Sequence, residues 1–179
     1  MKFNVKNNLV KLILAALFIA LDIVVTRLFS VYLLFPSEKL SVQPLVYMFA
    51  GYIIGPWYSI AAFTVSDVLG MMLLPQGQSY LWPFTIVAVI RAAYYGFAFY
   101  KRPVNIWYSA AVITAGMVAI EILLNPFIMS LLFDKAYKII LISKLLFKSP
   151  FIPVYIFAFY AVIKALKKLP EFQNLIKRE

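Results

Sequence analysis

Cysteine and histidine are both absent from the 179 residues, and acidic residues number only seven. Without thiols or imidazoles the chain has no disulfide, no thiolate or Cys/His metal site, no iron–sulfur cluster, no His-ligated haem and no Ser-His-Asp or Cys-His nucleophile. Most familiar enzyme chemistry is therefore excluded, and neither a cofactor nor a metal is expected. Charge of any sign is scarce: Asp, Glu, Lys and Arg make up 13% of the chain, against 64% hydrophobic residues. A soluble domain would be about half apolar. About six spans of about 20 residues would use about 120 apolar positions, close to what this chain carries.

The apolar segments fall at about 9–31, 42–54, 57–74, 83–100, 106–133 and 139–166, which predicts an all-α integral membrane protein, one six-helix domain over residues 1–179. The stretch 42–74 as one helix would be about 50 Å long, too long for a hydrocarbon core about 30 Å thick. Gly55-Pro56 in its middle divides it into two short spans meeting at a turn, because proline favours a helix start and glycine permits a tight reversal. The first apolar run has no small-residue cleavage pattern before Leu33 and reads as a retained span.

The net charge of +10 does not indicate nucleic acid, because the basic residues collect at the two ends and in one connection rather than over a soluble face. With six spans, Lys2, Lys6, Lys11, Lys101, Arg102, Lys164, Lys167, Lys168, Lys177 and Arg178 fall on one side of the bilayer, which places both termini in the cytoplasm.

Asp22, Asp67 and Glu121 lie inside predicted spans, together with Arg27 and Arg91. Each would cost at least ~2 kcal/mol facing lipid, so they should face the bundle interior. With Asn125, Lys144 and Lys148 they converge on a cavity open to the outer side. Lys144 and Lys148 are four residues apart and share a helical face that continues to Tyr155. Two ammonium groups above an aromatic ring suit an anionic aromatic ligand; the alternative is that both lysines snorkel to headgroups. Arg91 and Glu121 either form a buried ion pair between helices or bind and orient a ligand carboxylate. Asp67 either pairs with Arg27 or accepts bonds from ligand N–H groups. Tyr32, Tyr47, Tyr80, Trp82 and Phe84 gather in the outer third, where an interfacial aromatic belt is the competing explanation. The loop 74–84 is rich in Pro, Gly and Gln and suits a cap over a ligand.

Several stretches resemble the substrate-binding S components of energy-coupling factor (ECF) vitamin transporters, the folate branch above all. They are Ala16-Leu-Phe-Ile-Ala20 with Thr26-Arg-Leu-Phe-Ser30, then Ala50-Gly-Tyr-Ile-Ile-Gly-Pro-Trp57, then Ser66-Asp-Val-Leu-Gly70, and finally Pro75-x-Gly77, Tyr80 and Pro83-Phe-Thr85. The resemblance implies a six-helix vitamin binder without catalysis in a prokaryotic plasma membrane. It further implies that the alanine pair of the first helix docks on a transmembrane coupling subunit, and that two partner ATPases hydrolyse ATP. Carried over, Ala16 and Ala20 fall in the coupling motif, and Arg27, Asp67, Gly77 and Tyr80 around the pocket. Two departures lie near the pocket: Lys39-Leu-Ser-Val-Gln-Pro-Leu45 replaces the branch's Arg-x-x-Phe-Gly-Phe-like stretch, and Arg91 replaces a small or apolar residue.

The expected partners are thus folate or a related acidic vitamin such as pantothenate, the ECF coupling subunit and ATPases, and the lipid bilayer. The expected ligand residues are Arg27, Tyr47, Asp67, Gly77, Tyr80, Trp82, Arg91, Glu121, Asn125, Lys144 and Lys148. A solitary proton-coupled transporter using Asp22, Asp67 and Glu121 is the competing class; no inverted repeat or His relay accompanies them.

Overall fold

Six helical rods and a two-residue β ladder make up the computed structural model, which describes residues 8–28, 31–32, 39–73, 82–102, 105–133 and 136–168. The first rod, α1 (Asn8–Arg27), closes with Arg27 in its last turn, where a cation meets the negative end of the helix dipole. It stops short of the predicted 31. The chain turns instead into β1 (Val31–Tyr32), which pairs antiparallel with β2 (Lys39–Leu40). The predicted spans had helix to residue 31 and a connection from there to residue 42, because hydropathy does not separate a helix end from a short strand.

Pro44 stands in the first turn of α2 (Gln43–Ile53), and the helix ends before Gly55, whose φ of 85° is open to glycine without strain. A Cβ at Gly55 would also stand 2.8 Å from the Tyr100 ring. Pro56 then opens α3 (Pro56–Leu73), so the predicted reversal is present. With 11 residues α2 is only about 16 Å long, about half the hydrocarbon thickness. Its polar start at Ser41–Gln43 therefore lies deep in the bundle.

α4 (Trp82–Phe99) runs back beside α2 and α3. The three approach at backbone distance: a Cβ on Gly51 would lie 2.8 Å from the Gly96 nitrogen, and one on Gly96 2.5 Å from Pro56 Cα. Small residues thus allow the helices to touch, as membrane interiors require when the hydrophobic effect does not drive association.

The last two rods are continuous but irregular. α5 comprises α-helical Ile106–Gly116, a π-helical turn Met117–Leu124 and α-helical Asn125–Phe133. Pro126 accounts for the change: it has no N–H to offer the Ile122 carbonyl and its ring clashes there, and widening the turn before it relieves both problems. α6 comprises Tyr137–Lys148, a 3₁₀ turn Ser149–Phe151 and Ile152–Leu166, where Pro150 and Pro153 interrupt the predicted single span.

Aromatic packing fills the centre: Tyr47 stacks on Phe63 with centroids 3.6 Å apart, and Phe99 meets Phe159 at 4.6 Å. The outside is apolar. Four rods are long and apolar enough to cross a membrane: Asn8–Arg27, Trp82–Phe99, Ile106–Leu132 and Tyr137–Leu166. Trp57 and Trp107 are exposed at the end of the bundle that carries Lys11, Lys101 and Arg102, and Trp82 at the opposite end. Tryptophans at both ends of an apolar surface match the two interfaces of a bilayer.

Candidate functional site

Four charged side chains from three helices meet at one point. Arg91 of α4 pairs with Glu121 of α5, and Lys148 of α6 pairs with the other oxygen of the same carboxylate. Arg91, Glu121 and Lys144 are each no more than 6% exposed. Lys144 lies one turn before Lys148 and adds its positive field at Glu121. Three cations thus surround a single carboxylate.

The π turn contributes directly to this geometry. It places three consecutive residues, Ile120, Glu121 and Ile122, inside the bundle, which a regular helical turn would spread around its circumference. Arg91 is further held by the α2 entrance: its Nη1 donates to Gln43 Oε1 at 3.3 Å, and its guanidinium carbon lies 5.0 Å from the Tyr47 ring centroid. A guanidinium on an aromatic face gains cation–π attraction as well as orientation. Its Nε is buried and makes no hydrogen bond among the described residues. Tyr155 donates its hydroxyl proton to the Ser41 carbonyl at 3.0 Å, tying α6 to the start of α2.

Across α2 the polarity reverses. Asp22 of α1 is 3% exposed, and its Oδ2 accepts a 2.7 Å bond from Ser66 of α3. The Gln43 side chain, which accepts from Arg91, also lies close to Asp22 and so stands between the acidic and cationic groups. Asp22 Oδ1 is buried without a hydrogen-bond partner among the described residues. One residue beyond Ser66, Asp67 Oδ2 accepts a 2.6 Å bond from Thr85 of α4. Arg27 lies over Gly70, where an added Cβ would stand 3.4 Å from its Nε, so the glycine makes room for the guanidinium.

Tyr47, Arg91, Glu121, Lys144 and Lys148 are thus brought together at the centre. Asn125 sits one turn beyond Glu121 on α5, with its Oδ1 buried and unbonded among the described residues. Arg27 and Asp67 line the α1–α3 side. Tyr47 is not part of an outer aromatic belt: it is buried against Phe63. Trp82 does not join the site, being 66% exposed at the bundle end, where its amphipathic ring suits the interface. Gly77 and Tyr80 lie outside the described residues, as does most of the anticipated capping loop. Ala16 and Ala20 are exposed on the outer face of α1, among exposed Leu12, Ile13 and Leu17.

Sequence reasoning passed over Gln43, Ser41 and Ser66 as contacts. Their signal was present: Gln43 immediately precedes a helix-opening proline inside an apolar run, and Ser66 adjoins an intramembrane Asp. Chemically, the arrangement offers carboxylate acceptors on one side and cations on the other. It suits a ligand with N–H donors at one end and carboxylates at the other.

Comparison with known proteins gives the family and the fold. The family model of the substrate-specific component of ECF transporters matches residues 10–166. The folate transporter FolT of Clostridium novyi (strain NT) is 27% identical over 167 residues, covering 93% of this chain and 95% of that protein. A crystal structure of FolT bound with folic acid superposes with a TM-score of 0.76 at 27% identity, covering 84% of this chain and 90% of that one.

Proposed function

The chain belongs to the substrate-specific components of ECF transporters, and from that premise we propose that it binds folate with high affinity from outside the cell and delivers it through an ECF energising module. The observation that carries this reading is the placement of carboxylates on α1 and α3, Asp22 buried and Asp67 half-buried, opposite cations on α4 and α6. Folate has the complementary polarity. Its pterin offers N–H donors for Asp22 and Asp67, and its glutamate carboxylates match Arg91, Lys144 and Lys148. Arg27, Asn125 and, from the loop before α4, Gly77 and Tyr80 complete the ligand contacts.

The resemblance to FolT proteins supports folate, and the exposed alanine pair supports the coupling role. Ala16 and Ala20 leave a shallow strip on α1, where a helix of the coupling subunit can approach closely. ATP is hydrolysed by two partner ATPases, and the chain itself is not an enzyme. The basic residues at the Lys101 end support an orientation in which that end, with both termini, faces the cytoplasm of a prokaryotic cell.

The test is a titration of the purified, detergent-solubilised protein, following the fluorescence of Trp57, Trp82 and Trp107 with folate and then pantothenate. Nanomolar quenching by folate alone is the expected result. A response to pantothenate with silence toward folate would retain the transporter family and overturn the ligand. Uptake by the chain alone in liposomes, without ATPases, would instead establish a solitary transporter.

A further inference from the structure

The start of α2 is a junction with other helices. Gln43 is its first residue, followed by Pro44, which has no N–H. The Gln43 backbone N–H donates to Ser41 Oγ at 3.1 Å, and the Ser41 carbonyl accepts the Tyr155 hydroxyl of α6 at 3.0 Å. The Gln43 side chain thus leaves a backbone that α6 holds in place. Its Oε1 accepts from Nη1 of Arg91 on α4 at 3.3 Å, and the side chain lies close to Asp22 of α1, whose Oδ2 is held by Ser66 of α3.

These two neighbours dictate which way the amide points. A guanidinium can only donate and an ionised carboxylate can only accept, so the amide oxygen belongs at Arg91 and the NH2 on the side of Asp22. Reversing the amide would set donors against donors and acceptors against acceptors. A methionine of similar length offers only a weak sulfur acceptor.

Arg91 is fixed in turn. Nη2 pairs with Glu121, Nη1 donates to Gln43, and the guanidinium carbon lies 5.0 Å from the Tyr47 ring centroid. The pair with Glu121 alone would let the planar fork pivot, whereas a second anchor on Nη1 stops the pivot. A guanidinium grips a carboxylate through two parallel N–H bonds, so its hold on an anionic ligand depends on that orientation.

Resting on the folate reading above, we propose that Gln43 is a positioning residue for the glutamate end of the ligand: its amide, kept in one orientation between Asp22 and Arg91, holds the Arg91 guanidinium where it grips a ligand carboxylate. Gln43 acts through Arg91 and need not touch the ligand.

The experiment compares folate with pteroate, which has the same rings and lacks the glutamate, each titrated by Trp fluorescence against the purified full chain. The unchanged protein prefers folate. In Gln43→Met that preference falls about tenfold, the span of one charge-assisted contact. In Arg91→Lys, which has no planar fork to position, adding Gln43→Met moves the preference by no more than about twofold.

A parallel loss of both ligands in Gln43→Met, with the preference intact, would overturn the proposal and leave Gln43 as a packing residue. A tenfold fall that persists in the Arg91→Lys background overturns it too, because Gln43 then acts without Arg91. Should the methionine variant fail to fold, Gln43→Asn decides: it keeps the amide but is one methylene too short to reach both neighbours, and an unmoved preference overturns the proposal. Failure of the unchanged protein to bind either ligand is a separate result, which removes the folate reading and the proposal with it.

Discussion

The α1–α4 half of the bundle and the α5–α6 half solve the same problem in opposite ways. In the first, backbones touch at Gly51, Gly96 and Pro56, the helices are regular, and the carboxylates Asp22 and Asp67 are each held by a hydroxyl, while the one buried cation among its described residues, Arg91 of α4, reaches across to the other half. In the second, both rods are interrupted, by a π turn and a 3₁₀ turn, and the buried charges are cations around one carboxylate. Close backbone contact leaves little room for adjustment, whereas proline-broken helices have surrendered hydrogen bonds that otherwise hold a rod straight. The contrast teaches that the α1–α4 half is a scaffold presenting acceptors, and the α5–α6 half a wall shaped to place charge.

The sharpest break should come in the scaffold. Gly96→Val drives side-chain atoms into the Pro56 backbone and should destabilise the protein by ~3 kcal/mol or more, read as a large fall in the melting temperature of the detergent-solubilised chain. A valine variant that melts with the unchanged protein would show that the two halves do not differ in rigidity. On the wall, Arg91→Ala leaves Glu121 with fewer partners and removes a bidentate contact, so folate affinity should drop about 100-fold, or ~3 kcal/mol. An unchanged dissociation constant in that titration would assign Arg91 to a purely structural ion pair.

Smaller effects should separate the two ends of the ligand. Asp67→Asn should weaken folate and pteroate equally, by about tenfold, because it touches the ring end and not the carboxylates; a loss confined to folate would place Asp67 on the wrong side of the comparison. Pro126→Ala allows α5 to return toward regular helix and to turn Glu121 away, with a severalfold change in folate affinity and no loss of fold. Circular dichroism and titration together check it, and identical affinity would show that the π turn has no part in binding. The smallest effect on binding is expected from Ala16→Trp, which lies on the exposed face of α1. Folate affinity should stay unchanged while transport by the reconstituted complex is lost, and weakened binding in the folded variant would remove α1 from the coupling role.

Much of this was legible along the chain. The Gly55-Pro56 reversal is a local event that two residues dictate, and it is present. Charges inside apolar runs had to face inward, and Asp22, Arg91, Glu121 and Lys144 are all buried. The interruptions of α5 and α6 were less legible. Pro126 and Pro150 mark where a helix must yield, but whether it kinks, tightens or widens depends on the neighbours that receive the freed carbonyls. The short α2 was legible as the span 42–54, but the β ladder escaped, because a hydropathy window registers apolar content and not strand pairing.

By itself, the sequence determined the class of molecule and the chemistry open to it. Lacking cysteine and histidine, with 64% of its residues hydrophobic, the chain had to form a membrane bundle that binds rather than one that catalyses through thiols or imidazoles. Only the tertiary structure decided that Arg91 and Lys148 share Glu121 while Asp67 turns to Thr85. Helix formation is governed by contacts a few residues apart, but which charges meet depends on how three rods, 27 to 30 residues apart in sequence at this point, are rotated about their own axes. Packing across the whole bundle sets that rotation, and a single π turn shifts it.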